Sequence, residues 1–542
     1  MVDVDVIQVG FGPVGQVHAA LLGAQGHSVA AFDKWPGTYP LPRAGHLDHE
    51  IMRILQGIGA TDTFRLQAIP IPDYDWVNAA GELLLHIDWN APTPSGWKSD
   101  YLFYQPEVEE AVLEAVGRHP SVSVELGWEA IGVTNHPDHV EVRLRELEKT
   151  AEGLTPTGAE KTVTARYLIG ADGANSFVRR QVGIEWEDLG FEEDWLVTDI
   201  EPHDRDMVID MPDAGQICDP ARPVSLFRWL GRHTARWEFM LLDGEDPEVM
   251  AQDETIWSLL SRWGVDKSNA TIVRKKVYGF RSLIASTFRR ERTLLIGDSA
   301  HLMPPFMGQG LSSGIRDAVN LAWKLDLVLT GRAEDALLDA YTTERRPHAR
   351  ALIQTSMDLG KVVCMSDPDE VAARDAAFLA GEVPPAVFPW LYEGVLDGGE
   401  STEVVGRLGL QARVAIDGRD GLADDLLGTG WTLLSSRADY IDELSAEQRA
   451  IIDSLGMRHA HVSQAELETE NSIVDVDADY SRWFTQVGAP IVIIRPDYYV
   501  FGLAKDSADL GGLLERLAAA AELTGASKDG AEAERDAVGA EA

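Results

Sequence analysis

The chain has 542 residues with 88 Asp and Glu against 47 Lys and Arg, a formal net charge of −41. A surface of that sign repels a nucleic-acid backbone, so nucleic-acid binding is excluded, and the charge is read as a feature of solubility or salt adaptation. With 45% apolar and 25% charged residues the make-up is that of a globular protein of roughly two to four domains, and no apolar run approaches the ~18 residues of a membrane span.

The first predicted element lies in VDVIQVGFGPVGQVHAALLGAQGHSVAAFDK, which runs strand, glycine turn, helix, strand and ends on an acid. Gly10, Gly12 and Gly15 supply the tight turn, the close approach to a pyrophosphate and the close helix packing of a dinucleotide fold, and Asp33 closes the second strand where a ribose-binding acid is expected. FAD and NAD look alike at this motif. The opening residues carry acids where a signal peptide carries positive charge, so a cytoplasmic protein is expected.

Residues 71–100, rich in Trp and Pro, are predicted to be strand and loop reaching a substrate side, and 101–118 a helix with Gln105 near its start. Residues 120–170 alternate apolar and polar as antiparallel strands do. ARYLIGADGANSFVRRQVGI then brings an apolar strand to Asp172 and Gly173; alone, this is an ordinary Asp-Gly turn as readily as a cofactor contact. From about 186 to 282, WLVTDI, VSLFRW and ARWEFMLL are predicted strands of a sheet able to cover a ligand.

The segment TLLIGDSAHLMPPFMGQGLSSGIRDAVN carries the most information. A short apolar strand leaves Asp298 at its exposed end, and Pro304, Pro305, Gly308 and Gly310 force an irregular loop before a helix opens. N–H groups at that helix start suit the edge of a flavin where negative charge accumulates on reduction, which turns the choice of dinucleotide to FAD. Within the helix Ile315, Val319, Ala322 and Asp326 form one mostly apolar stripe, while Asp317 and Asn320 either face a cofactor or cap and solvate.

Residues 361–404 are expected to be a helix and Pro-rich connector, and 405–526 a separate module of strands and helices that ends in PIVIIRPDYYVFGLAK and ADLGGLLERLAAAAEL. Arg495, Pro496, Asp497 and Tyr499 are assigned to structure or subunit contact. The Ala-, Gly- and acid-rich tail, 527–542, is expected to be disordered. Cys218 and Cys364 give neither a disulfide framework nor metal-type spacing, the histidines form no HExxH, and no metal is expected.

GFGPVG, GADGANSFVR and GDSAHLMPPFMGQG together resemble the three fingerprints of single-component (class A) FAD-dependent aromatic hydroxylases, the group of p-hydroxybenzoate and phenol hydroxylases, over roughly residues 3–360. Within it, PRAGHLDHEIMRILQGIG, RWEFMLLDGE and ERRPHARALI are most similar to 3-(3-hydroxyphenyl)propionate hydroxylases and their polyketide-tailoring relatives. The resemblance implies an α/β chain with three parts. A Rossmann-like FAD-binding fold (1–70, 101–185, 283–360) is interleaved with an antiparallel-sheet substrate module (71–100, 186–282), and a thioredoxin-like C-terminal domain without CxxC follows.

It also implies roles. Gly10, Gly12 and Gly15 hold the pyrophosphate and Asp33 the adenosine ribose, in place of the usual Glu. Lys34 stands where the family often has Arg. Arg43 and Gln105 touch the phosphates and ribityl chain, Asp172 serves FAD and the nicotinamide donor, Asp298 binds the ribityl chain, and Pro305 and Gly308, Gln309, Gly310 and Leu311 line the ring. The implied reaction uses FAD, NADH or NADPH, and O2 to hydroxylate a phenolic ring ortho to an existing hydroxyl, with a phenylpropanoid-type acid such as 3-(3-hydroxyphenyl)propionate as the expected substrate, through a C4a-hydroperoxyflavin in a dry pocket. A homodimer is a further expectation. An aromatic polyketide-tailoring hydroxylase, or a flavin oxidase or reductase of the same fold, is the alternative. An acidic protein that takes an anionic aromatic acid needs local cations, for which Arg222 and Arg228 are candidates beside a surface salt-bridge role for each. The base is not identified by sequence; His46, Asp48 and Tyr104 are the residues to test.

Overall fold

The computed structural model describes residues 2–38, 41, 43–64, 68–151, 153–383, 387–398, 403–465 and 471–524; the acidic tail lies outside the described residues. They form two compact units, one of Met1–Thr93, Trp97–Ile315 and Ala349–Pro389, the other of the described residues of Pro94–Gly96, Arg316–His348 and from Trp390 onward.

In the first unit Val4–Val9 is the centre of a parallel sheet, with Gly153–Gly170 and then Thr293–Leu295 on one side and Val29–Asp33 and then Val122–Leu126 on the other. Val6 and Ile7 are fully buried, as expected of a strand covered on both faces. The one polar residue buried beside them, Gln8, has its amide bonded to the carbonyls of Gly10 and Gly15 at 3.1 and 3.0 Å, so a polar side chain here fixes the glycine turn. The helix Pro13–Ala24 opens with Pro at its first turn, where a missing N–H costs nothing.

A second, eight-stranded sheet in the same unit runs in the order His301–Leu302, Ala270–Ala285, Trp186–Pro202, Thr234–Met240, Val224–Leu230, Ala214–Cys218, Asp73–Asn78, Leu83–Asp88. Its alternation is strict enough to assign faces. Leu196, Ile200, Leu226, Trp237 and Phe239 pack with Ile256 and Leu260 of the helix Asp253–Leu260. The intervening residues, among them Trp195, Asp199, Arg236 and Glu238, are therefore on the opposite face.

The second unit has a seven-stranded mixed sheet in the order Arg419–Leu422, Arg413–Ile416, Ser472–Asp475, Arg458–Ser463, Thr432–Ser435, Ile491–Ile494, Val500–Ala504. It also holds a closed group of buried charges. Glu344 accepts from Lys324 Nζ at 2.8 Å, from both Arg495 terminal nitrogens at 2.9 and 2.6 Å, from Asn320 Nδ2 at 2.7 Å and from the Val395 N–H at 2.8 Å. Asp497 accepts from Arg495, Asn320 and Trp323. Burial pushes Lys324 down to about 8 against the pull of Glu344, while Arg495 and Lys324 overcome burial to hold the Glu344 carboxyl well below its usual range.

This group corrects the simple stripe expected of the helix Gly310–Leu329. Asp317, Asn320 and Lys324 are as buried as Ile315 and Ala322, because Asp317 pairs with Arg345 at 2.8 Å and the other two belong to the Glu344 group. Asp317 and Asn320 neither cap nor solvate.

Candidate functional site

The three sequence fingerprints meet in the first unit. A Cβ on Gly10, which has φ +101°, would lie 2.2 Å from the Ala171 carbonyl oxygen and 2.6 Å from the Asp172 nitrogen, so no other residue fits between the first and second motifs. The Ser299 hydroxyl donates to the carbonyls of Gly170 at 2.5 Å and Ile296 at 2.8 Å, tying the second to the third. Val14 closes the ring: a Cβ on Gly314 would meet it at 2.6 Å. Gly12 differs from all of these, since a Cβ there would meet nothing within 4 Å. Gly10 and Gly15, where a Cβ would lie 2.6 Å from the Gly10 carbonyl oxygen, are thus fixed by protein packing, and Gly12 faces open space at the start of a helix, which fits a pyrophosphate.

Asp33 accepts from the Phe11 and Trp35 N–H groups, both at 2.8 Å, which holds its carboxylate at the glycine turn. Lys34 beside it is exposed. Gln105 Oε1 accepts from the backbone of Arg43 and Ala44 at 3.1 and 2.8 Å, and its Nε2 donates to Glu109 at 2.6 Å; Gln16 donates to the same carboxylate at 3.2 Å. Burial raises the Glu109 pKa, opposed by those two amides and by the Arg43 charge. Asp172 accepts from Ser176 Oγ at 2.5 Å and from the N–H groups of Phe177 and Val178 at 2.6 and 3.0 Å, capping Phe177–Gln181. Asp298 is open to solvent yet crowded by protein atoms, as a group on a cleft wall is; burial raises its pKa against His301 and Arg43. An acid so placed, with Arg43 within electrostatic reach and an open approach at Gly12, fits the cofactor implied by the fingerprints.

The loop that follows is held from below. Gly308 has φ +63°, and a Cβ there would lie 2.6 Å from His46 Nδ1. His46 Nε2 bonds Asp100 at 2.7 Å, and Nδ1 is 3.5 Å from the Gly308 carbonyl. Burial works to lower the His46 pKa, but the bond and charge of Asp100, with the charge of Asp48, raise it. Asp48 caps the helix His49–Gly57 through the N–H groups of Glu50 and Ile51 and accepts from Gln309 Nε2 at 3.0 Å. Pro305 opens the turn that ends at Gly308, and Gly310 and Leu311 begin the helix, both half-buried. Of the three candidate bases, His46 and Asp48 therefore meet the loop. Tyr104 instead packs at a tilt against His233, ring centroids 4.6 Å apart, with burial and then Asp199, Glu201 and Glu107 raising its pKa.

Phe306 of the same loop packs edge-on against Trp195 at 5.6 Å and Phe191 at 5.8 Å, so the loop covers the sheet face that carries Trp195. On that face Arg236 makes bonds of 2.6 and 3.1 Å to Asp199, Arg274 approaches Asp199 at 3.3 Å, and Glu238 lies 3.8 Å from Arg236. The two arginines singled out from sequence are also neutralised. Arg222 is bidentate to Glu245, at 2.6 Å twice, and Arg228 is 3.3 Å from Asp213.

Tyr74, Trp89, Gln216, Ser225, Asp199, Arg236 and Glu238 were not singled out by sequence reasoning. Their signal is present but faint: in TARWEFM the charged residues fall on alternate positions, which a strand turns to one face. Nothing in one sequence says that this face is buried.

Residues 3–356 match the family described as FAD binding domain, and residues 406–520 the HcaD C-terminal domain. The chain is 36% identical to a probable NADH-specific resorcinol 4-hydroxylase of Rhodococcus jostii (strain RHA1), over 95% of each chain. It is 32% identical to a 3-(3-hydroxyphenyl)propionate/3-hydroxycinnamic acid hydroxylase of Escherichia coli (strain K12 / DH10B), over 96% of this chain and 95% of the relative. Among solved structures it resembles the flavin-dependent monooxygenase PieE in complex with FAD and substrate, with a TM-score of 0.78, 22% identity and coverage of 96% and 99%.

Proposed function

We propose that this chain, which belongs to the FAD binding domain family and is a flavoprotein aromatic hydroxylase, acts on a small neutral phenol of the resorcinol type with NADH as electron donor. The observation that carries the choice of substrate is the pairing of arginines. Arg222, Arg228, Arg236 and Arg274 each stand against a carboxylate, so these four arginines are already committed. A ring bearing its own carboxylate needs one that is not.

The overall change is one oxygen atom of O2 into a ring C–H bond, the other leaving as water, with NADH supplying two electrons and a proton completing the water. Bound FAD supplies the oxygen activation. The protein's share is placement. Gly12 admits the pyrophosphate, while Asp33, Arg43 and Asp298 engage ribose, phosphate and ribityl groups. His46 and Asp48 act by holding Gly308 and Gln309 in position beside the ring. The aromatic contacts of Phe306 with Trp195 and Phe191 keep water from one side of the site. Oxygen enters ortho to an existing hydroxyl, where that substituent makes the carbon electron-rich.

A panel of phenols assayed for NADH and NADPH oxidation, with product identification, tests this. Resorcinol-type diols should accelerate NADH oxidation and yield the ring-hydroxylated product, and 3-(3-hydroxyphenyl)propionate should do so less well. If no phenol accelerates it, the reading fails.

A further inference from the structure

We propose that Glu238 is a specificity-determining residue of this site: its carboxylate accepts a hydrogen bond from a phenolic hydroxyl of a neutral diol and turns away rings that carry a carboxylate. The proposal rests on the hydroxylase reading above.

Register places Glu238 without ambiguity. Across the second sheet Gln216 pairs with Ser225, Ser225 with Glu238, and Glu238 with Val197. Directly paired residues share a face, and Val197 shares its face with Trp195, which Phe306 of the flavin loop covers. Glu238 therefore stands one strand away from the residues that the loop touches. From the loop, a wall leads to it: His46 lies 5.0 Å from Trp89, Trp89 stacks on Tyr74 at 4.8 Å, and the Tyr74 hydroxyl accepts from Gln216 Nε2 at 2.7 Å. Gln216 Oε1 in turn accepts from Ser225 Oγ at 2.7 Å, next to Glu238 in the row.

Gln216 and Ser225 are satisfied within the row. Glu238 is only 7% exposed, and among the described residues none donates a hydrogen bond to its carboxylate. The nearest cation, Arg236 at 3.8 Å, is pinned elsewhere by two bonds to Asp199 and one of 2.6 Å to the Arg43 carbonyl. Burial raises the Glu238 pKa against the charge of Arg236, as it does for a carboxylate without donors. A largely buried carboxylate that meets no donor among the described residues is stabilised by a ligand that brings an O–H group, and a ligand that brings a carboxylate meets like charge. Glu238 also balances charge, since Asp199 alone faces both Arg236 and Arg274. That structural role predicts no discrimination between ligands.

The test is the dissociation constant of FAD-loaded protein for resorcinol and for 3-(3-hydroxyphenyl)propionate, read from flavin absorbance without NADH, in wild type, Glu238→Gln and Glu238→Asp. The Gln variant should weaken resorcinol about tenfold or more while leaving or tightening the carboxylated ligand. The Asp variant keeps the charge but shortens the reach, and should also weaken resorcinol; it carries the test if the Gln variant does not retain FAD. Parallel changes for both ligands, or an unchanged resorcinol constant, overturn the proposal. A wild-type protein that binds no phenol overturns the hydroxylase reading and the proposal together, whereas wild type and Gln variant binding resorcinol equally well overturns the proposal alone.

Discussion

Glu344 and Glu238 are both buried glutamates beside arginine, and the protein treats them in opposite ways. Glu344, in the second unit, receives five hydrogen bonds from side chains and backbone. Glu238, in the first, receives none from the described residues. A buried carboxylate fully supplied with donors has no capacity left for a ligand and serves architecture; one left short is held by a fold whose stability comes from elsewhere and keeps its capacity to accept from a ligand. The same contrast divides the glycines of the first motif, with Gly10 walled in by Ala171 and Gly12 open.

The largest test of this contrast is Glu344→Ala, which strands Lys324 and part of Arg495 without a partner. It should cost about 3–5 kcal/mol in urea denaturation of the full chain; a loss under about 1 kcal/mol would mean that the group is not the keystone its bonds suggest. Next, Gly10→Ala should damage both fold and cofactor binding. Gly12→Ala should leave the FAD-free protein as stable as wild type and weaken FAD by about 10- to 100-fold, the scale of ~1–3 kcal/mol of obstruction or strain. Equal stability loss in the two variants would erase the distinction between walled and open glycines.

His46→Gln sharpens it further through pH. The His46 pKa is raised, so the pair with Asp100 contributes fully below the ordinary value of 6.5 and is lost as pH climbs through the folded value. The variant should be less stable than wild type by about 1.5–3 kcal/mol at acid pH, with the gap closing in alkali. The smallest effect belongs to Asp298→Asn. Its carboxyl pKa is also raised, so ionisation works against the FAD-free fold as pH rises through that value. The variant should match wild type in acid and slightly exceed it near neutrality, while binding FAD less well. An Asn variant less stable than wild type at neutral pH would show that Asp298 belongs with Glu344.

The family was legible in the sequence because its constraints are local. The turns at Gly10 and Gly308 require φ values that favour glycine, and the acids Asp33, Asp172 and Asp298 sit at strand ends set by short apolar runs. The dispositions of Asp317, Asn320, Arg222 and Arg228 were not legible, since each depends on a partner distant in sequence or across a hairpin: Arg345, Glu344, Glu245 and Asp213. Periodicity names a face and not what covers it. For the same reason Glu238 looked like one more polar position in an alternating strand.

The most direct test of the central claim is the balance of one turnover series: NADH consumed, hydroxylated ring formed and hydrogen peroxide released with resorcinol in air-saturated buffer. Close to one hydroxylated product should form per NADH, with little peroxide. Resorcinol recovered unchanged while peroxide matches the NADH consumed would contradict it.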